Sequence, residues 1–109
     1  MPRKDWIYVI DDAKMPEGGM VPVYPLGINI LMARVNGKVY ALEGRCAHMG
    51  CPLFNGMLEG TVLTCPCHDW RFNIQTGEFL DASELRLKVY QTRTEDGKLF
   101  VCLGQTEGL

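Results

Sequence analysis

The sequence predicts an all-β domain, a small sandwich or barrel, on three observations. Short stretches rich in aromatic and β-branched residues recur at close spacing, each bounded by Gly, Pro, Asn or Asp turn signals. Asn36-Gly37 stands between two of them and supplies the positive φ angles of a tight type I′ hairpin turn. Residues 85–92 alternate apolar and polar side chains at period two, as expected of a strand with one wet face. No segment carries a helical period, and there is no internal repeat or low-complexity tract.

Taken in order, residues 5–10 (Asp-Trp-Ile-Tyr-Val-Ile) read as a first strand, and Pro16 with Gly18-Gly19 breaks the chain after it. Residues 20–24 are extended, but Pro22 cannot donate to a ladder, which predicts an edge position or a bulge. Pro25 and Gly27 make a turn. Residues 28–35 and 38–42 form the hairpin around Asn36-Gly37, which delivers the chain toward Cys46. Residues 57–64 read as one strand ending at Cys65, residues 70–73 as the strand leaving that point, and residues 75–78 as the next turn. The polar residues 81–84 predict a short turn or cap. Residues 85–92 and 98–103 then pair across the Glu95-Asp96-Gly97 turn.

A chain of 109 residues is one domain by length, covering 1–109, and leaves no room for a second catalytic domain. The 47% hydrophobic and 22% charged content is ordinary for a globular protein. With 11 Lys and Arg against 13 Asp and Glu, the net charge of -2 gives no basic surface for nucleic acid. No window approaches the roughly 18 apolar residues of a membrane helix. The opening Met1-Pro2-Arg3-Lys4-Asp5-Trp6 leads into no signal segment. The expectation is a soluble, cytoplasmic protein without membrane insertion.

The chemistry concentrates between Cys46 and His68. Both histidines of the chain lie here, each two or three positions after a cysteine: Cys46-Ala47-His48, sixteen residues, then Cys65-Pro66-Cys67-His68. Two thiolates and two imidazoles are a soft, mixed ligand set suited to an iron-sulfur cluster or to zinc. Zinc is disfavoured by the Cys-x-His spacing, tighter than that of common zinc fingers, and by the lack of a following helix. Four thiolates from Cys46, Cys51, Cys65 and Cys67 match the plant-type ferredoxin spacing only over the first gap, and leave both histidines unexplained. Buried structural residues would have to account for all four at once. Cys102, in the last strand, reads as a core cysteine.

At this motif the sequence resembles the Rieske family, and the resemblance extends through Gly50, Pro52, Leu53, Pro66, Phe72 and Thr76-Gly77-Glu78. It implies an all-β Rieske-like sandwich or barrel in which two loops on strand ends, within residues 44–80, build a cluster-binding subdomain. It further implies a [2Fe-2S] cluster with Cys46 and Cys65 on one iron and His48 and His68 on the other. Gly50, Pro52, Leu53, Pro66, Asp69 and Trp70 would surround it, with backbone N–H groups turned toward the cluster sulfurs. Cys51 and Cys67 stand where respiratory Rieske proteins carry a disulfide tying the two loops, a pair that soluble Rieske ferredoxins usually lack. The resemblance therefore implies a Cys51–Cys67 disulfide, against the reducing tendency of a cytosolic pool. After His68 the respiratory sequences continue Gly-Ser, whose hydroxyl raises the potential, whereas this chain has Asp69-Trp70. A nearby carboxylate and the loss of that donor predict an intermediate value within the Rieske range of about -150 to +300 mV.

The implied function is that of a soluble Rieske-type ferredoxin. It would carry one electron from a reductase, an NAD(P)H-dependent flavoprotein, to a terminal oxygenase or other acceptor. Two alternatives stand beside it: a small Rieske subunit of a larger redox enzyme such as a nitrite reductase, and a zinc-stabilised interaction module without redox activity. A Rieske oxygenase catalytic subunit is excluded, because no histidine remains for its mononuclear iron. Nor does any nucleophile with a base, or any phosphate loop, point to a catalytic site in the chain.

Overall fold

The computed structural model describes residues 6–45, 52–67 and 69–103. Among the described residues twelve short strands follow one another: β1 Trp6–Asp11, β2 Met20–Val23, β3 Ile30–Val35, β4 Lys38–Glu43, β5 Met57–Glu59, β6 Val62–Thr64, β7 Arg71–Asn73, β8 Glu78–Phe79, β9 Ala82–Arg86, β10 Val89–Tyr90, β11 Thr92–Glu95 and β12 Lys98–Cys102. Among the described residues the only helical segments are single 3-10 turns at Asp12–Lys14, Pro25–Gly27 and Leu53–Asn55. The ladders among these strands are antiparallel, in sheets ordered β1-β12-β11, β10-β4-β3-β2 and β5-β6-β7-β8-β9. The all-β expectation is met.

β3 explains how the sheets stack. Its run Ile30-Leu31-Met32-Ala33 is fully buried, which a strand achieves only when both of its faces are covered. Ile30 and Met32 join a core with Met15, Leu99 and Val101, under the three-stranded sheet. Leu31, Ala33 and Val35 point the other way, into a core with Leu53, Leu63, Phe72 and Phe79 of the five-stranded region. The four-stranded sheet is thus the middle layer. Its β3–β4 hairpin turns at Asn36 (φ 53°) and Gly37 (φ 79°), the left-handed pair predicted for a type I′ turn. The Glu17 carboxylate accepts hydrogen bonds from the N–H groups of both turn residues, at 2.9 Å for Gly37. β2 lies at the sheet edge, as Pro22 required.

Three expectations are corrected. Residues 57–64 are two strands, β5 and β6, because Gly60 at φ 59° reverses the chain into a tight hairpin. The polar stretch 81–84 is not a turn or cap throughout, since β9 begins at Ala82 and pairs with β8. Residues 85–92 are not one strand. The chain crosses from the five-stranded sheet in β9 to the middle sheet in β10 and then to the three-stranded sheet in β11. Each crossing interrupts the ladder, and Leu85 is left exposed while Leu87 is buried.

Candidate metal centre

The two loops that carry the motif are closed at their feet by backbone hydrogen bonds. At the first, Gly44 N–H donates to Asn29 O (3.1 Å), Leu53 N–H donates to Gly44 O (2.8 Å), and Arg45 bridges Pro52. Gly44 and Arg45 on one side and Pro52 and Leu53 on the other are thereby held together. At the second, Cys65 N–H donates to Trp70 O (2.7 Å) and Asp69 N–H donates to Cys65 O (3.1 Å), just beyond the Thr64–Arg71 pair of β6 and β7. Asp69 is left-handed (φ 57°), a conformation that Asp and Asn tolerate better than most residues.

Gly56 brings the two feet together. A Cβ there would lie 2.1 Å from Thr64 O, so only glycine lets the turn leaving the first loop press against the end of β6. Leu53 and Cys65 are accordingly buried in the same core. On the exit side, the Trp70 ring stacks on Phe79 (4.2 Å between centroids, 8° between planes), and Phe79 packs on Phe72 (5.6 Å).

Cys65 directly follows β6 and is fully buried, its thiol outside any disulfide. It borders a cavity of about 310 Å³ whose other described walls are Asn55, Gly56, Met57, Thr64, Pro66 and Asp69. A thiol that is neither oxidised nor solvated, at the edge of an opening, fits a cluster ligand. Cys67 is exposed and disulfide-bonded. The partner of this disulfide lies outside the described residues, as do Cys46, His48, Gly50, Cys51 and His68 of the sequence reading. Of the other expected neighbours, Pro52, Pro66 and Asp69 are exposed, Leu53 is buried and Trp70 half-buried. Cys102 is a buried free thiol in β12, as expected of a core cysteine. Phe79 and Gly56 went unrecognised in the sequence. Phe79 sits in a two-residue strand too short for a periodic signal, and the requirement for glycine at 56 arises from a neighbour eight positions away.

A family model for the Rieske [2Fe-2S] domain matches residues 5–91. The chain belongs to this family. Membership replaces the zinc alternative with a [2Fe-2S] cluster, a one-electron centre, and Cys65 as the structure presents it suits that cofactor. The Rieske domain is 30% identical over 99 residues to the ferredoxin component of a naphthalene 1,2-dioxygenase system from Pseudomonas aeruginosa, covering 90% of this chain and 95% of the relative. In structure it is similar to a chain in the complex of reduced oxygenase and oxidised ferredoxin of carbazole 1,9a-dioxygenase, with TM-score 0.82, 30% identity, and coverage of 93% and 95% of the two chains. It also matches the terminal oxygenase of carbazole 1,9a-dioxygenase from Novosphingobium sp. KA1, with TM-score 0.89 and 29% identity. There it covers 96% of its own length but 31% of the oxygenase chain. The protein is a Rieske-type ferredoxin, an electron carrier of the kind found in oxygenase systems.

Proposed function

We propose that Cys46, His48, Cys65 and His68 hold the cluster and that residues 1–109 form one Rieske domain, with its cluster-binding region at about 44–80. In this reading the chain accepts an electron from an NAD(P)H-dependent flavoprotein reductase and delivers it to a terminal oxygenase or another acceptor, in the cytoplasm. The observation that carries it is the coverage of 95% of a dioxygenase-system ferredoxin component. Support for transient docking comes from the surface at the foot of the first ligand loop. The stretches 24–29 and 52–57 contain no charged residue, and they expose Leu26 (80%), Met57 (61%) and Phe54 (40%). Asn29, Gly44 and Leu53 are joined by hydrogen bonds, so both stretches flank the foot of the first ligand loop. Small, apolar contacts that assemble and release quickly suit electron transfer.

Within the same reading Cys67 pairs with Cys51, tying the two loops together as in the respiratory sequences. Alkylation without reductant, followed by mass spectrometry, should recover a Cys51–Cys67 cross-linked peptide. Recovery of Cys51 as a free alkylated thiol would sink the pairing. For the electron route, mixing the oxidised protein with NADH and a catalytic amount of a flavin-containing ferredoxin reductase should bleach its visible spectrum by one electron per chain. Bleaching by dithionite but not by either NADH or NADPH with such reductases would overturn the proposed donor class.

A further inference from the structure

We infer that the Trp70–Phe79 ring stack is a clamp that sets the position of the second ligand loop, so that Trp70 and Phe79 are positioning residues for the cluster. The inference rests on the proposed ligand set, in which Cys65 and His68 belong to this loop. Trp70 acts through two different parts of the residue. Its carbonyl accepts the Cys65 N–H at 2.7 Å, which fixes the backbone of the buried thiol. Its ring lies flat on Phe79 at 4.2 Å and 8°, which anchors the residue whose carbonyl makes that bond.

Phe79 is itself held from two sides. It pairs with Phe72 across the β7–β8 ladder, and the next residue, Leu80, donates its N–H to Arg71 O at 2.9 Å. Phe72, fully buried in the core, backs Phe79 at 5.6 Å. A line of contact therefore runs from the core through Phe72 and Phe79 to Trp70, and from the Trp70 carbonyl to Cys65. The loop between has no strand pairing of its own among the described residues; Asp69 N–H to Cys65 O is a further bond within it, and the disulfide of Cys67 ties it as well. Groups that orient metal ligands from behind alter metal affinity when removed, although they never touch the metal.

The test uses the cluster-loaded protein with Trp70→Leu, Trp70→Phe and Phe79→Leu, and with Leu99→Ala as the control for general destabilisation, since Leu99 lies in the other core. Cluster release to an iron chelator and the linewidth of the reduced EPR signal are recorded beside the melting temperature. Trp70→Leu and Phe79→Leu should release the cluster about 10-fold faster or more and broaden the signal. Trp70→Phe, which keeps a ring on Phe79, should stay near the parent. Leu99→Ala should melt earlier with parental linewidth and a smaller change in release. Parental behaviour in Trp70→Leu, or release by Leu99→Ala as fast as by the clamp variants, would overturn the inference. If Phe79→Leu yields no loaded protein, the two Trp70 variants decide, because that side chain is only half-buried. A parent chain that binds no iron would overturn the ligand assignment instead, which keeps the two failures apart.

Discussion

Asp69 is the residue at which backbone and charge can be separated. Its left-handed φ of 57° closes the second loop, and the glycine that respiratory Rieske sequences carry at this point would adopt that angle freely. Asp69→Asn keeps the backbone preference and removes the charge. It should leave the melting temperature unchanged and raise the reduction potential. A carboxylate exposed to water is worth about 1 kcal/mol at most, or about 40 mV for one electron, and protein-film voltammetry would read the shift. Asp69→Ala should raise the potential similarly but lose about 1–2 kcal/mol of stability, because alanine pays for the left-handed backbone. Gly56 is constrained by space and not by φ. Gly56→Ala drives a methyl group into Thr64 O and should cost about 1–3 kcal/mol in denaturant unfolding. The sequence displayed the ligand-type residues plainly, since thiols and imidazoles at this spacing have few other uses. It did not display Gly56 or Phe79, whose roles exist only once two segments meet in space.

At the scale of elements, the Phe72 strand β7 joins the loop to the core. Phe72→Ala should destabilise by about 3–5 kcal/mol, the usual cost of emptying a fully buried aromatic site, measured by chemical unfolding. In β10, the Tyr90 hydroxyl has its pKa raised, first by burial and then by the nearby Glu43 carboxylate. The folded state thus holds this proton more tightly than the unfolded chain. The resulting stability is complete below the ordinary tyrosine value near 10 and is lost as pH rises through the higher folded value. Tyr90→Phe should flatten the decline in melting temperature above about pH 10 relative to the parent. Among the strands, the β3–β4 hairpin was legible because Asn36-Gly37 encodes its turn locally. The break-up of residues 85–92 was not. Its alternation is continuous in sequence, but Leu87 N–H bonds Gly77 O, while Lys88 accepts the Glu43 N–H through its carbonyl and donates its own N–H to the Glu43 carboxylate. Gly77 immediately precedes β8 of the five-stranded sheet and Glu43 ends β4 of the middle one, and no period within the segment announces them.

For the whole molecule, the layered arrangement separates two tasks. The three-stranded sheet, with the core that holds Leu99, forms a base; the end of β4 in the middle sheet carries the foot of the first loop, and the five-stranded sheet presents Cys65 and the foot of the second. The family and its cluster make the chain an electron carrier, and the four-residue ligand set is the claim on which the functional account stands. The most direct test is a visible and low-temperature EPR spectrum of the purified protein, oxidised and dithionite-reduced, with iron, sulfide and zinc quantified, on the parent and on His68→Cys. With the proposed ligands the parent should be red-brown with two irons and two sulfides per chain, and its reduced signal should have the low average g typical of histidine ligation. In His68→Cys that signature should be lost or replaced. A colourless parent containing one zinc, or a parental signal surviving in His68→Cys, would contradict the proposed ligand set.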